Sequence, residues 1–358
     1  MKIDDKTSHN SPSLRFPEFT GEWEKCKIED ITDAVSSGKS KNHFSNGEYN
    51  LYGSTGIIGR TDKALYDGKL VLVARVGANA GFLQIINEPC GITDNTLILK
   101  PKGIDAFYLY YFLQHLNLNR LIFGSGQPLI TGGMLKKVKV SLGTISEQSK
   151  IVKFLSLLDE RIAVQNRLIE DLKKLRCAVS NKLFQSVKGV VIPLSGISNI
   201  VKGKQINGDF LAEVGEYYVM NGGTEPSGYY DNYNVEANTI SISEGGNSCG
   251  YVQFNRMPFW SGGHCYTIQD IVSDVETLYL YHYLKSKEDS IMKLRIGTGL
   301  PNIQKKDLAE FKVIIPAIEQ QRTISNILSL LERKTEIEGR MLIAMRTEKQ
   351  YLLHQMFI

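Results

Sequence analysis

The sequence lacks the features that mark membrane, secreted and metal-binding proteins. No apolar run approaches the roughly 20 residues of a membrane helix, and the first residues contain no signal-peptide core. The five cysteines are scattered, with no CxxC pair, which favours free thiols over disulfides or a zinc site. We therefore expect a cytoplasmic chain that makes no membrane contact and holds no metal.

Catalytic motifs are equally scarce. The patterns GxxxxGK[ST], HExxH and GxSxG are absent, as is the FxGxG and [ND]PP[YF] pair of methyltransferases. His264 and Cys265 are adjacent, but neighbouring residues on a strand point to opposite faces, so the two side chains do not converge. We expect no catalytic residue in this chain.

Charge of one sign is also in short supply. The net charge is only +4 over 358 residues, and residues 187–316 carry −3. Nucleic-acid-binding domains are usually strongly basic, so composition alone does not predict one. Any contact with nucleic acid must come from local clusters or from partners.

What the sequence contains instead is a long internal repeat. Residues 123–130 read FGSGQPLI, and residues 296–303, which lie 173 positions later, read IGTGLPNI. The same spacing separates Gln148 from Gln321. This period is too long for a solenoid unit and indicates a domain duplication.

Each copy begins with glycine-punctuated β-rich runs and ends in a long glycine-poor helical pattern. The pattern predicts an α+β protein with two mostly-β domains, each followed by a long helix. The predicted boundaries are 1–145 for the first domain, 146–186 for the central helix, 187–316 for the second domain and 317–358 for the C-terminal helix.

The helical regions keep apolar a and d positions over about five heptads, which indicates a coiled coil rather than a globular helix. Polar residues interrupt the two copies at matching places, Gln165 with Glu338 and Arg176 with Lys349. Antiparallel pairing would place the two β-rich domains at opposite ends of a rod. The predicted spacer residues are Leu155, Leu158, Ile162, Ile169, Leu172, Leu328, Leu331, Leu342, Met345 and Leu352.

Several segments resemble the specificity subunit of type I restriction–modification enzymes, over nearly the whole chain. They include the opening LRFPEF at 14–19, the run YGSTGIIG at 52–59 and the helix entries Glu147-Gln148 and 319–321. No single motif is specific, but the doubled order of β-rich domain, Gly-x-Gly-x-Pro turn and long helix is.

The resemblance implies two target-recognition domains, each reading one half of a split sequence in double-stranded DNA, with the coiled coil as spacer. It also implies a bacterial or archaeal complex with two methyltransferase subunits and with restriction/translocase subunits. No cofactor is expected in this chain, because S-adenosylmethionine and ATP would be bound by the partner subunits.

Candidate DNA-binding residues lie in polar, glycine-flanked loops, where a backbone can approach DNA closely. Aligning Gly81 with Gly250 matches Arg75 with Glu244, so this position differs in charge between the copies. Each candidate has the alternative role of a turn residue. The candidates are Lys39, Lys41, Ser54, Thr55, Arg60, Arg75, Asn79, Ser125, Gln127, Lys202, Lys204, Asn221, Thr224, Asn247, Ser248, Arg295, Thr298 and Asn302.

Two other functions remain open from the residues alone. A coiled-coil adaptor with two protein-binding β-rich domains would explain the weak charge. An enzyme with a duplicated, unfamiliar active site is disfavoured because His43, His115 and His264 have no counterparts at the repeat spacing.

Overall fold

The structure is a computed structural model that describes residues 11–41, 46–121, 128–297, 299 and 301–358. It divides into two compact units, residues 1–166 with 340–358 and residues 167–339. The divisions fall inside the two long helices. Each unit therefore contains one globular domain and one segment of each long helix.

The first domain consists of two sheets, a short strand pair and helices. The four-stranded sheet has the order β2-β8-β5-β6, the three-stranded sheet β4-β3-β7, and β1 pairs with β9. The strands are β1 (Glu24–Lys27), β2 (Thr32–Ser37), β3 (Tyr49–Gly53), β4 (Gly56–Thr61), β5 (Lys69–Ala74), β6 (Leu83–Asn87), β7 (Cys90–Ile92), β8 (Thr96–Pro101) and β9 (Lys139–Leu142). The helices are α1 (Ala106–Leu116), α2 (Gly132–Lys136) and the long α3 (Ile145–Ser186).

Strand β5 is buried from Leu70 to Ala74 because both faces of its sheet are covered there. Val71 and Val73 belong to the core that includes α1, whereas Leu70 and Leu72 pack in the cluster that includes the three-stranded sheet. Side chains alternate between the faces of a strand. A strand buried on both faces reads as a continuous apolar run, as residues 70–74 do.

The second domain repeats this architecture. Its sheets have the orders β11-β17-β14-β15 and β13-β12-β16, and β10 pairs with β18. The strands are β10 (Val190–Pro193), β11 (Asn199–Lys202), β12 (Tyr217–Met220), β13 (Tyr229–Tyr230), β14 (Thr239–Ser243), β15 (Val252–Asn255), β16 (Trp260–Ser261), β17 (Cys265–Gln269) and β18 (Lys312–Ile315). The helices are α4 (Thr277–Ser286), α5 (Glu288–Met292), α6 (Lys305–Ala309) and the long α7 (Ile318–Met356).

A buried tyrosine at the same place in each domain ties its helix to the short strand pair. Tyr108 of α1 donates its hydroxyl hydrogen to the carbonyl of Ser141 in β9 at 3.2 Å. Tyr279 of α4 makes the equivalent bond to Ile314 in β18 at 2.6 Å. Since β9 and β18 lead directly into the long helices, these bonds fix where each long helix leaves its domain.

In the first unit the two long helices run antiparallel. Asp159 of α3 accepts a hydrogen bond from Lys349 of α7 at 2.5 Å and another from the Tyr111 hydroxyl at 2.8 Å. Seven residues further along α3, Asn166 bonds with Arg346, which precedes Lys349 on α7. The partners on α7 therefore run backwards as α3 runs forwards.

The second unit repeats this junction with the helices exchanged. Glu332 of α7 accepts hydrogen bonds from Arg176 of α3 at 3.0 Å and from the Tyr281 hydroxyl at 2.8 Å. Further along α3, Phe184 lies in one core with Ile324, which precedes Glu332 on α7. The pairing is antiparallel here as well.

The acid and the cation of the two junctions match at the repeat spacing, whereas Tyr281 lies one residue before His282, the position that matches Tyr111. Asp159 and Glu332 are 173 residues apart, as are Arg176 and Lys349. Both cationic interruptions of the heptads are thus matched by an acid on the other long helix. All ten predicted spacer residues are buried or half-buried, and the predicted fold class is confirmed.

Removing the acid at either junction should destabilise the protein. In Asp159→Ala the Lys349 ammonium, whose side chain is 11% exposed, loses its partner, and in Glu332→Ala the Arg176 guanidinium does. We expect each to lower the free energy of unfolding by about 1–3 kcal/mol in urea titrations.

Glu170→Ala is the matched control, because Glu170 pairs with Lys173 on the exposed surface of α3. It should cost less than about 1 kcal/mol. Equal losses in all three variants would contradict a structural role for the junctions.

His282 should make the second unit sensitive to acid. Its ring nitrogen lies 2.9 Å from the Ser329 hydroxyl, and burial, with Arg176 and Arg256 nearby, lowers its pKa from 6.5 to about 4. Below pH 6.5 the unfolded chain binds a proton that the folded chain refuses, so stability falls as the pH drops from about 6.5 towards 4.

His282→Tyr tests this, because the matching position of the first unit is Tyr111, which lies beside Ser156 in the same way. Between pH 7 and pH 4 the original chain should lose up to about 3 kcal/mol more of its free energy of unfolding than the variant does. Chemical denaturation at the two pH values measures the difference. Identical losses would show that His282 does not contribute.

Candidate nucleic-acid interface

The loops that follow β5 and β14 have the same backbone hydrogen bonds at a spacing of 169 residues. Arg75 donates its backbone N–H to the carbonyl of Asn95, and Glu244 donates to that of His264, both at 2.9 Å. The N–H of Gly81 donates to the carbonyl of Ala74 in the first loop, and the N–H of Gly250 donates to the carbonyl of Ser243 in the second. The two turns thus have the same backbone hydrogen bonds, although their side chains differ.

Glycine is required at two places in each of these turns. Gly77 and Gly81 have φ of 78° and 88°, and their counterparts Gly246 and Gly250 have φ of 73° and 89°. These left-handed values are strained for residues with a Cβ. A Cβ at Gly250 would also meet the backbone of Met292 at 3.0 Å.

The proline-containing segments of the repeat lie directly against these turns. The carbonyls of Pro128 and Pro301 accept hydrogen bonds from Gly77 and Gly246, at 3.1 and 3.0 Å. Two residues later, Ile130 and Ile303 donate their N–H groups back to Arg75 and Glu244. The duplicated motif therefore has a structural task, which is to fix the loop that carries the residue at 75 or 244.

In the first domain the predicted residues are spread over several loops. Lys39 and Lys41 are exposed and line a hollow of about 290 Å³ together with Lys63. The Arg60 guanidinium bonds to the backbone carbonyls of Gly47 and Glu48 at 2.5 and 2.7 Å. Lys39 and Lys41 are thus brought together, whereas Arg60 holds the backbone.

The other first-domain candidates occupy two turns. Ser54 and Thr55 form the turn between β3 and β4, where the Ser54 hydroxyl contacts the carbonyl of Asn95 at 3.4 Å. Asn79 is exposed in the turn after β5. Ser125 and Gln127 lie outside the described residues.

In the second domain two asparagines have backbone partners. The Asn221 side-chain oxygen accepts a hydrogen bond from the His264 N–H at 3.1 Å, and the Asn302 backbone pairs with Ile296. Thr298 lies outside the described residues. The remaining candidates are exposed or half-exposed in loops, namely Lys204, Thr224, Asn247, Ser248 and Arg295.

Glu244 stands at the centre of a polar cluster that sequence reasoning did not identify. Its Oε1 accepts hydrogen bonds from Lys202 at 2.6 Å and from the Tyr266 hydroxyl at 3.0 Å. Its Oε2 lies 3.7 Å from Nδ1 of His264. Burial and the Glu244 carboxylate raise the pKa of Tyr266 well above its ordinary value, so this hydroxyl keeps its proton and donates it.

Lys63, Asn95, Glu244 and His264 are the polar residues that the sequence-based list omitted. The alignment of Gly81 on Gly250 already pointed at Glu244, and the same 169-residue spacing pairs Asn95 with His264. Lys63 had no such signal, because the hollow that joins it to Lys39 forms only when the chain folds.

The described part of the chain contains neither a cluster of metal ligands nor a membrane-spanning helix. Among the described residues, no three His, Cys, Asp or Glu side chains are grouped to hold a metal ion. All five cysteines are free thiols. Within the described part of the chain, no helix is both long and apolar enough to cross a membrane.

Comparison with known proteins decides the family. The family model described as "Type I restriction modification DNA specificity domain" matches residues 20–174 and, a second time, residues 187–344. The chain belongs to this family. The two matched ranges correspond to the two copies of the repeat.

Individual members of the family resemble the chain over most of its length. A Mycoplasma genitalium chain assigned as a type I specificity subunit is 25% identical over 359 residues, which cover 94% of each chain. The MjaVIII type I restriction enzyme specificity subunit of Methanocaldococcus jannaschii is 24% identical over 326 residues, 75% of this chain and 73% of that one.

A solved structure shares the fold. The crystal structure of a type I restriction–modification S subunit from M. genitalium matches with a TM-score of 0.72 at 24% identity, and the match covers 97% of this chain and 99% of that one. As a type I specificity subunit, the protein recognises DNA and is not itself an enzyme. The comparisons therefore support DNA recognition over the alternatives of an adaptor and a duplicated enzyme.

Proposed function

We propose that this specificity subunit reads a split DNA target, one half with each globular domain, in a bacterial or archaeal cytoplasm. The observation that carries the proposal is the duplicated backbone of the loops after β5 and β14, which carries Arg75 in one domain and Glu244, paired with Lys202, in the other. A shared backbone with different side chains suits two readers of different base sequences, since side chains at base edges give specificity.

The paired long helices are proposed to set the distance between the two half-sites, as dimer spacing does for other DNA-binding proteins. The junctions at Asp159 and Glu332 support this role. A shift of one helix by a turn would separate each cation from its acid, which is costly for partly buried charges. These pairs specify the helix register within each unit, and the proposed spacing rests on that register.

Phosphate contacts are proposed to come from the exposed lysines of the first domain and from a few cations of the second. Lys39, Lys41 and Lys63 converge on one hollow. In the second domain Lys204 and Arg295 are exposed. Few such contacts imply weak non-specific binding by the chain alone, so partner subunits are expected to contribute positive charge.

The long helices are proposed to dock two methyltransferase subunits, to which restriction/translocase subunits add. Apolar residues are exposed at matching positions of both helices, 173 residues apart: Leu157 with Leu330, Val164 with Ile337, and Leu168 with Met341. Exposed apolar side chains in a repeated pattern mark interaction surfaces. The partner subunits would bind S-adenosylmethionine and ATP, and this chain would bind no cofactor.

The split target can be tested by co-expressing the chain with its methyltransferase partner and mapping adenine methylation across the host genome. We expect modified adenines within a two-part sequence separated by a fixed run of unspecified bases. Charged substitutions at Leu158, Ile162, Leu331 or Leu342 should abolish this pattern, because they disrupt the helix pair. A contiguous motif, or a split motif that survives these substitutions, would refute the reading.

The docking surface can be tested with Leu157→Glu and Leu330→Glu. Each places a charge at one copy of the exposed apolar pattern and should weaken association with the methyltransferase subunit at least tenfold, as buried interface charges do. Thr347→Glu is the control, because Thr347 is exposed on a different face of α7. Pull-down titration of the complex measures this, and unchanged association in both leucine variants would place the docking surface elsewhere.

A further inference from the structure

The three polar residues Lys202, Glu244 and His264 form one cluster at the end of the second domain's four-stranded sheet. Lys202 ends β11, Glu244 follows β14, and His264 precedes β17. The Lys202 and His264 side chains are 52% and 63% exposed, whereas that of Glu244 is only 10% exposed. A buried carboxylate thus holds one exposed ammonium group and lies beside one exposed imidazole.

The backbone of the first domain places Ser37, Arg75 and Asn95 at the same three positions. Ser37 pairs with Leu97 across the sheet as Lys202 pairs with Tyr266. The backbone hydrogen bond from Arg75 to Asn95 is equivalent to the one from Glu244 to His264. The two clusters therefore occupy one location in the duplicated architecture and differ only in side chains.

Arg75 has the opposite charge to Glu244 and a different surrounding. Its Nε is buried and has no hydrogen-bond partner among the described residues. Leu97 stands at the position that matches Tyr266. The first domain therefore lacks the hydroxyl that donates to Glu244 in the second domain, and an arginine, which has no acceptor, has no use for such a donor. A buried N–H donor without a partner costs free energy, so this conformation of the Arg75 side chain is not stabilised by that group, and the guanidinium can turn towards an acceptor that approaches the loop.

We propose that this position is the base-reading position of both domains, and that it reads guanine in each half-site. In the first domain the reading group is Arg75. In the second it is Lys202, with Glu244 as a positioning residue that holds the ammonium group at the end of its strand. Arginine and lysine both donate to guanine O6 and N7 in the major groove. The inference rests on the proposed split target and adds the residues and the base.

Glu244 itself does not reach the DNA. Two donors already occupy Oε1. Oε2 is buried with no hydrogen-bond partner among the described residues and lies 3.7 Å from the His264 imidazole, so it does not face solvent. Its counterion Lys202 is instead the group that extends towards solvent. The net negative charge of the second domain is therefore compatible with DNA recognition, because Glu244 is paired with Lys202.

The experiment uses the complex with the methyltransferase subunit and duplexes that carry the mapped target. Each guanine of the target is replaced in turn by 7-deazaguanine, which lacks the N7 acceptor. For the unaltered complex, one guanine in each half-site should weaken binding when replaced.

In Arg75→Gln, binding to the unmodified target should fall roughly 5- to 150-fold, the range of a lost bidentate base contact. Replacing the guanine of the first half-site should then have no further effect, while the second half-site keeps its sensitivity. In Glu244→Gln the second half-site should lose its sensitivity to 7-deazaguanine, and the first should keep it. Glu244→Asp keeps the negative charge and should restore part of the second half-site's sensitivity.

Arg60→Gln is the matched control, because the Arg60 guanidinium is bound to backbone carbonyls of the same domain. It should leave the 7-deazaguanine pattern of both half-sites unchanged. Thermal unfolding of each complex identifies any variant that fails to fold, and Arg75→Met, which keeps the length of the side chain but has no donor group, then replaces Arg75→Gln.

The outcomes separate the two proposals. An undivided methylated motif would refute the split target itself. A split motif whose 7-deazaguanine pattern is the same in the unaltered complex, in Arg75→Gln and in Glu244→Gln would leave the split target standing and overturn the assignment of these residues.

Discussion

The rest of the structure depends on the two charge pairs between the long helices. Asp159 with Lys349, and Glu332 with Arg176, place opposite charges at a partly buried helix interface. Apolar heptads alone tolerate shifts along the helix axis, because one leucine can replace another. A cation that needs one particular acid does not, so the pairs select a single antiparallel register.

Each charge pair also connects the helices to a domain. Tyr111 donates to Asp159 and Tyr281 to Glu332, so one carboxylate receives a bond from the other long helix and one from a domain helix. Ser156 and Ser329, three residues before the acids, contact Tyr111 and His282. The register of the helices and the seating of each domain on them are thus fixed at the same carboxylates.

The domains themselves separate architecture from recognition. Glycines with left-handed φ, the bonds from Gly77 and Gly246 to the two prolines, and the returning bonds from Ile130 and Ile303 are the same in both copies. These are backbone interactions, which constrain the neighbouring side chains very little. The residue between them was therefore able to become arginine in one copy and glutamate in the other without a change of fold.

The sequence by itself determined the duplication, the two long helices, their heptad seams and the family, because periodicity and repeat spacing are properties of the chain order. It also showed that position 75 differs in charge from position 244. Only the tertiary structure decided which charges pair. Asp159 and Lys349 are 190 residues apart, Lys202 and Glu244 are 42 apart, and no spacing rule links either pair. The same holds for Arg60, which sequence reasoning grouped with exposed readers but which folding turns towards two backbone carbonyls. Local patterns encode elements and their periodicity, whereas the partners of a polar side chain depend on which distant segments the packed core brings alongside it.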